Sequence, residues 1–127
     1  MTILCNIQYN VGMMNEQANV NVEKLKQEMR RGIIVVAVMS RLQESQYGYA
    51  LLKNLNDIGL EIGQDTLYPL LRRLEEQELL ESEWRTDDPR PRRYYRLNQT
   101  GREVFKDLKS EWNEMEKIIR RIIDETE

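Results

Sequence analysis

The sequence contains no histidine and only one cysteine, Cys5, among its 127 residues. The missing histidine removes the usual general base and the commonest metal ligand of proteins. A single cysteine forms no intramolecular disulfide, so nothing points to an oxidising compartment. The sequence also lacks a phosphate-binding loop and any recognisable pairing of a nucleophile with a base. We therefore expect no catalytic residues, no metal site and no cofactor, and an enzyme is the weakest hypothesis.

Long apolar runs are absent as well. No stretch approaches the roughly 20 apolar residues of a membrane span, and the apolar residues 1–4 lack the basic start of a signal peptide. We therefore expect a cytoplasmic protein that makes no membrane contact. Charged residues make up 32% of the chain, with a net charge of -3. Because phosphate affinity comes from local basic contacts, the placement of the arginines matters more than this sum.

The beginning of the chain differs in composition from the rest. Residues 1–21 are rich in asparagine and nearly uncharged, without helical or strand periodicity. We interpret them as a flexible N-terminal arm. The alternative is an arm that packs on a dimer mate through Met13 and Met14. A helix is predicted after Asn21, a favourable N-cap, because the following apolar residues lie at helical spacing.

The first predicted helix extends to about Leu42, and two more helices follow it. Within the first helix, Ile33–Met39 is apolar on all sides, which indicates a buried segment. The second helix is predicted over Gln46–Asn56, with Gly59 as a left-handed cap. The third runs from about residue 64 to Gln77 with a buried leucine stripe. Two such helices joined by a short turn are typical of a helix-turn-helix.

Pro69 and the residues after the third helix add two local predictions. Pro69 lies early in the third helix, where its missing N–H costs little if it falls in the first turn. Beyond the helix, Leu80, Ser82 and Trp84 alternate with charged residues, and a second alternating run includes Arg93, Tyr95 and Leu97. This period of two predicts a β-hairpin with a turn-rich tip. A hairpin placed directly after the third helix is a wing.

The last segment is predicted to be one long helix, which either Asn98 or a Thr100–Glu103 capping box begins. An apolar stripe at near-heptad spacing runs along it and has no obvious partner within the chain. A seam between two chains would bury this stripe. We therefore predict that residues 98–127 form a dimerisation helix, with contacts at Leu108, Trp112, Met115, Ile119 and Ile122.

Three motifs resemble those of the PadR family of transcriptional regulators. They are Tyr47-Gly48-Tyr49, the run Thr66–Glu75, and the run Arg92–Leu97 followed by Gly101, in this order and at matching separations. One departure is Glu78, which stands where glycine is common and puts the turn into the first hairpin strand in doubt.

The resemblance implies a mainly α fold with a small β-hairpin, in which residues 22–97 form a winged helix-turn-helix. It also implies a homodimeric repressor that binds double-stranded DNA at a palindromic promoter site and is released by a small molecule. In some PadR-like regulators, flat aromatic compounds bind at the dimer centre. By this resemblance, Trp112 is a candidate effector-binding residue, and the alternative is a plain interface tryptophan.

The exposed side of the third helix and the wing supply the candidate DNA contacts. The N-terminal part of such a helix faces base edges in the major groove. Arginines farther along the helix reach phosphates or guanine, and arginines of a wing clamp the backbone or enter the minor groove. The candidate residues are Gln64, Thr66, Tyr68, Arg72, Arg73, Arg90, Arg92 and Arg93.

Each of these assignments has a structural alternative. The helix face can be a solvated charged surface, and Arg92 or Arg93 can pair with nearby glutamates. One of Tyr47 and Tyr49 packs in the core while the other is free to contact a phosphate, in either order. For the whole chain, the alternative is a winged-helix module that binds another protein rather than DNA, which the acidic net charge favours.

Overall fold

The computed structural model describes residues 16–87 and 89–126, with side chains from residue 21 onward. The chain divides into two units, residues 1–33 and 34–127. Helix α1 (Glu16–Arg41) starts in the first unit and continues into the second. The predicted helix start after Asn21 is wrong, because Asn21 lies inside α1, which begins among favourable helix formers. Met13 and Met14 of the predicted arm lie outside the described residues.

In the first unit, α1 carries an apolar stripe at helical spacing. Val22, Leu25 and Met29, for which the spacing predicts one common face, are all exposed, and so is Ile33. A salt bridge between Glu23 and Lys26 (3.7 Å) lies on the surface. Nothing in the described part of this unit buries the stripe.

The second unit contains the remaining elements. After α1 these are β1 (Gln46–Tyr47), α2 (Gly48–Asp57), α3 (Gln64–Glu76), β2 (Leu80–Arg85), β3 (Arg92–Leu97) and α4 (Gln99–Thr126). The predicted winged helix-turn-helix with a long C-terminal helix is confirmed. Within the described ranges, none of the helices is long and apolar enough to cross a membrane.

The short strand β1 is the element that the sequence did not predict. Gln46 pairs with Tyr95 and Tyr47 pairs with Tyr94, so the sheet has three antiparallel strands in the order β1-β3-β2. Residues 46 and 47 were expected to begin the second helix, which starts at Gly48 instead. Two residues carry too little pattern to indicate a strand, and here a long-range pairing determines their conformation.

The predicted hairpin is confirmed, and the structure gives its register. Leu80 lies opposite Leu97, Ser82 opposite Tyr95, and Trp84 opposite Arg93. Because side chains alternate between the two faces of a sheet, these residues share one face. Leu80 and Leu97 are buried at the base of this face, whereas Trp84, near the tip, is exposed.

One hydrophobic core holds the second unit together. Leucines from α2, α3 and the hairpin meet the end of α1, where Ile34, Val38 and Met39 are buried. Burial of each such side chain contributes roughly 1.5–3 kcal/mol relative to exposure. The expectation that Ile33–Met39 is buried on all sides is only partly met, because Ile33 is 38% exposed. This core fixes the position of α3 and of the wing base.

Helices α2 and α3 end in the same type of turn. Gly59 after α2 has φ 100°, as predicted for a left-handed cap, and Glu78 after α3 has φ 61°. In both turns the next amide donates to a helix carbonyl five residues earlier, at 3.0 Å, the hydrogen bond that defines a Schellman motif. Glu78 therefore keeps the turn that glycine would make, at the cost of backbone strain.

Replacing Glu78 by glycine is expected to raise the free energy of unfolding by about 1 kcal/mol, because the left-handed conformation is costly for a residue with a Cβ atom. Urea unfolding measures the change. Glu78→Ala is the matched control, since it removes the same carboxylate but keeps the Cβ. Equal stability of the two variants would contradict this account.

Asn98 is the cap of α4, one of the two predicted alternatives. Its Oδ1 accepts a hydrogen bond from the Gly101 amide at 2.8 Å, and its Nδ2 donates to the Glu78 carbonyl at 2.8 Å. One side chain therefore links the end of α3 to the start of α4. Pro69 differs from expectation, because it lies in the second turn of α3 rather than the first. Its missing N–H leaves the Asp65 carbonyl without the usual helical partner.

Candidate nucleic-acid interface

Helix α3 has a buried side and an exposed side, as the predicted leucine stripe requires. Leu67, Leu70, Leu71 and Leu74 are buried in the core. The opposite side is exposed and includes the candidate contacts Gln64, Thr66, Arg72 and Arg73. Among the described residues, neither Arg72 nor Arg73 has an ion-pair partner. Because its leucines are anchored in the core, α3 exposes the guanidinium groups of Arg72 and Arg73 and the polar side chains of Gln64 and Thr66 to solvent.

The turn between α2 and α3 is held by the side chain of Asn56. Its Nδ2 donates to the carbonyls of Leu52 (2.8 Å) and Ile62 (2.9 Å), and its Oδ1 accepts from the Ile62 amide at 3.2 Å. The two hydrogen bonds with Ile62 connect the last turn of α2 to the segment before α3, and the bond to Leu52 holds the amide against α2. They fix the direction in which α3 leaves the turn.

An open groove of about 690 Å³ lies between the start of α2, helix α3 and the wing. Its lining is dominated by aromatic and arginine side chains, among them Tyr49, Tyr68, Trp84, Arg90 and Arg92. Guanidinium groups bind phosphate, and aromatic rings pack against sugars and bases. The groove therefore has the chemistry to receive a sugar-phosphate backbone.

Tyr68 enters this groove because Gly48 leaves room for it. A Cβ atom built on Gly48 would lie 2.6 Å from Cε1 and 2.8 Å from the hydroxyl oxygen of Tyr68. The first residue of α2 thus sets the position of the tyrosine ring on α3. The motif Tyr47-Gly48-Tyr49 and the motif that contains Tyr68 meet at this point.

On the wing, two arginines stack on two tyrosines. The guanidinium of Arg92 lies 4.4 Å from the ring centre of Tyr47, and that of Arg85 lies 4.1 Å from that of Tyr94. The two rings meet edge to face at 5.5 Å. Tyr47 therefore packs on the wing, whereas Tyr49 is 59% exposed. Both Tyr47 and Tyr49 line the groove.

Arg93 is held by a carboxylate and a serine hydroxyl. Its Nη2 lies 2.9 and 2.8 Å from the two carboxylate oxygens of Glu75, and its Nε and Nη2 donate to Ser82 Oγ at 3.1 and 3.0 Å. The predicted alternative, pairing with a nearby glutamate, therefore applies to Arg93. Arg90, at the wing tip, is exposed.

Tyr95 lies beside this ion pair, with its ring centre 5.5 Å from the Arg93 guanidinium. Burial raises the pKa of Tyr95 above its ordinary value, and the nearby Glu75 carboxylate acts in the same direction, while Arg93 opposes it. The phenol is therefore neutral at physiological pH. The Tyr95 side chain therefore adds no negative charge to the groove.

The predicted dimerisation residues do not all have the same environment. Leu108 packs against the core of the second unit. Trp112, Met115, Ile119 and Ile122 are exposed, together with Ile118 and Ile123. Past Leu108, α4 thus carries an apolar stripe that no described residue of the second unit covers.

The roles of three residues were not predicted from the sequence: Trp84 and Gly48, which line the groove, and Glu75, which binds Arg93. Trp84 is 65% exposed in the groove, and its alternation with Leu80 indicated only a strand. Gly48 and Glu75 act through contacts with α3 and β3, which the sequence alone does not reveal. A large aromatic residue near the tip of a short hairpin, beyond the reach of the core, was the one available signal.

The comparisons with known proteins agree with this geometry. A model of the PadR-like family of transcriptional regulators matches residues 35–107. The crystal structure of a PadR family transcriptional regulator from Eggerthella lenta is 39% identical, with a TM-score of 0.78, and the match covers 86% of this chain and 97% of that one.

Two further relatives are similar over most of their length. A transcriptional regulator of Mycobacterium tuberculosis is 31% identical over 76% of this chain and 88% of its own. The structure of a transcriptional regulator from Clostridium thermocellum is 28% identical, with a TM-score of 0.68, over 74% of this chain and 96% of that one. The family match spans more than half of the chain. This chain therefore belongs to the PadR-like family and is a transcriptional regulator rather than an enzyme, as its sequence predicted.

Proposed function

We propose that this regulator binds double-stranded DNA through α3, its recognition helix, and through the wing. The observation that carries the proposal is the groove that Tyr68 of α3 lines together with the wing residues Arg90 and Arg92. In this arrangement Gln64, Thr66 and Tyr68 contact base edges in the major groove. Arg72 and Arg73 contact phosphates of the same groove.

The wing supplies the second part of the contact. Arg90 and Arg92 lie at the groove and reach the backbone or the minor groove beside the site. Arg93 was predicted with them, and its guanidinium binds Glu75 and Ser82. The net charge of -3 does not oppose this function, because affinity depends on the local guanidinium groups rather than on the sum.

We further propose that the regulator is a homodimer, joined through the apolar stripe of α4, and that it represses a promoter with a palindromic site. Exposed apolar side chains repeated along a helix are stabilised when a second helix covers them. Two-fold symmetry then places two recognition helices on half-sites about one helical turn of DNA apart, roughly 34 Å.

Footprinting of the DNA upstream of the regulator's own gene and its neighbours tests the DNA-binding function. We expect protection of a two-fold symmetric site that weakens steeply as salt is raised. Absence of protection in all these regions, and failure to select any duplex from a random pool, would contradict it. That outcome would favour the alternative, a winged-helix module that binds another protein through the exposed aromatic groove.

The substitution Ile119→Glu is expected to convert the dimer to a monomer, because it places a charge in the centre of the apolar stripe. Sedimentation equilibrium measures the association. Asn113→Glu is the matched control, since it adds the same charge on the side of α4 away from the stripe and is expected to leave the dimer intact. A dimer that persists in Ile119→Glu would locate the interface elsewhere.

A small aromatic effector that releases the DNA is proposed to bind at Trp112, by resemblance to the family. Trp112 is 38% exposed in the single chain and lies in the stripe that joins the proposed dimer, so a planar compound would stack on its indole at the seam between the two chains. The chain has only two tryptophans, and Trp84→Phe leaves Trp112 as the only fluorophore of this kind. Quenching by planar aromatic compounds, with loss of DNA binding, is expected. Unchanged fluorescence with every such compound would favour a plain interface tryptophan.

A further inference from the structure

Glu75 is an acidic residue on the recognition helix, which makes it an unexpected feature in a surface that binds DNA. Its carboxylate is half-buried and contacts two strands of the wing at once. Arg93 of β3 binds both of its oxygens, and Ser82 Oγ of β2 donates to Oε2 at 2.5 Å. Ser82 also accepts hydrogen bonds from Arg93. We call these three side chains the Glu75 bracket.

We propose that Glu75 is a positioning residue for DNA binding, and that the Glu75 bracket fixes the angle between the recognition helix and the wing. This inference rests on the proposed DNA-binding function. In the same arrangement Arg93 acts through Glu75 and does not contact DNA itself. The other wing residues of the groove depend on the bracket for their distance from α3.

The position of the bracket along the hairpin supports this role. Below it, Leu80 and Leu97 anchor the hairpin in the core. Above it, Trp84, Arg90 and Arg92 form the wing side of the groove. Ser82 and Arg93 thus lie between the anchored base and the part that faces DNA. A small change of hairpin angle at this level is amplified at the tip.

The chemistry of the bracket suits a rigid link. Nη2 of Arg93 binds both oxygens of Glu75, while Nε and Nη2 bind Ser82 Oγ, so one planar guanidinium holds two neighbouring side chains, which restrains orientation as well as distance. The side chains of Arg93 and Glu75 are 39% and 29% exposed, so water competes only in part. By contrast, the cross-strand pair of Arg96 and Glu81 (2.6 Å) is more exposed and does not involve α3.

The sign of one substitution separates this inference from simple electrostatics. Removal of a negative charge near a polyanion should strengthen DNA binding, and it would also release Arg93 to contact phosphate. If Glu75 positions the wing, Glu75→Gln should instead weaken binding to the selected duplex by about 10-fold, because glutamine cannot form the charged pair. Its nearly equal volume keeps the packing around it.

Two matched controls remove the same charge without touching the bracket. Glu76→Gln changes the next residue of α3, which is exposed, and Glu81→Gln breaks the Arg96 pair on the hairpin. Both are expected to bind DNA as well as the unsubstituted protein or up to a few-fold better. Arg93→Lys keeps the charge but has no second nitrogen to bind Ser82 while the first binds Glu75, and we expect it to weaken binding as Glu75→Gln does. If Arg93→Lys bound DNA as tightly as the unsubstituted protein, Arg93 would be assigned to a direct phosphate contact.

The experiment measures affinity for the selected duplex at several salt concentrations, and hydrogen exchange of each variant without DNA. We expect Glu75→Gln and Arg93→Lys, but not the controls, to speed exchange in β2 and β3 and to weaken binding. Unchanged exchange, or Glu75→Gln binding as tightly as Glu76→Gln, would overturn the inference while leaving the DNA-binding function intact. If the unsubstituted protein binds no duplex, the proposed function fails, and the exchange data alone decide whether the bracket orders the wing.

Discussion

Replacing Arg72 and Arg73 together by alanine is expected to weaken binding to the operator by about 100-fold near 0.1 M salt. Both side chains are exposed on the recognition helix, and neither has an ion-pair partner in the described part of the chain. Their charge is therefore available to phosphates, and two copies of each act in a dimer. Because fewer counterions are released, the dependence of affinity on salt should also become shallower. Fluorescence anisotropy with a labelled duplex measures both quantities.

The control for this double variant removes the same amount of charge elsewhere. Lys106→Ala with Lys117→Ala changes two exposed cations on the side of α4 opposite its apolar stripe. This control should bind DNA with almost unchanged affinity and salt dependence. Equal losses in the two double variants would mean that only overall charge matters, and α3 would lose its special role.

Replacing Gly101 by alanine is expected to lower the free energy of unfolding by about 3 kcal/mol, the upper part of the range for overpacked sites. Gly101 is buried in the first turn of α4, and a Cβ atom there would collide with the backbone carbonyl oxygen of Leu79 and approach Leu97 at 3.0 Å. Backbone cannot move aside as a flexible side chain does. The helix must therefore shift away from the base of the wing, which thermal or urea unfolding detects.

Gly32→Ala provides the matched comparison for this substitution. Gly32 also lies within a helix, but nothing in the described chain is within 4 Å of a Cβ atom built there. Alanine is a better helix former, so this variant should be as stable as the unsubstituted protein or up to about 1 kcal/mol more stable. A Gly101→Ala variant that unfolds with unchanged stability would show that α4 can move away from Leu79 without cost.

Local patterns in the sequence were sufficient for most of the fold. The leucine stripe of α3, the alternation along each hairpin strand, and the caps Gly59 and Asn98 all depend on neighbours close in sequence. The start of α1 was predicted too late, because a favourable N-cap such as Asn21 does not end a helix that can continue through it. Strand β1 was missed, since its two residues adopt their conformation by pairing with β3 far along the chain.

The candidate site was harder to predict than the fold, for a related reason. Exposure of Arg72 and Arg73 followed from the helix period alone. The pairing of Arg93 with Glu75 did not follow from any local period. Glu75 belongs to another element, and folding brings its carboxylate within 2.8 Å of the Arg93 guanidinium. Likewise, the role of Gly48 is visible only when Tyr68 of α3 is placed against it. Pairings between distant elements cannot be recovered from periodicity, and in this protein they define the groove.

The central claim, that DNA lies between α3 and the wing, is tested most directly by hydrogen exchange with and without the footprinted operator duplex. We predict that the duplex slows exchange at the start of α3 and along the wing, residues 64–73 and 84–93, at a salt concentration where binding is tight. Protection of other segments alone, with these two unchanged while the duplex is bound, would contradict the account.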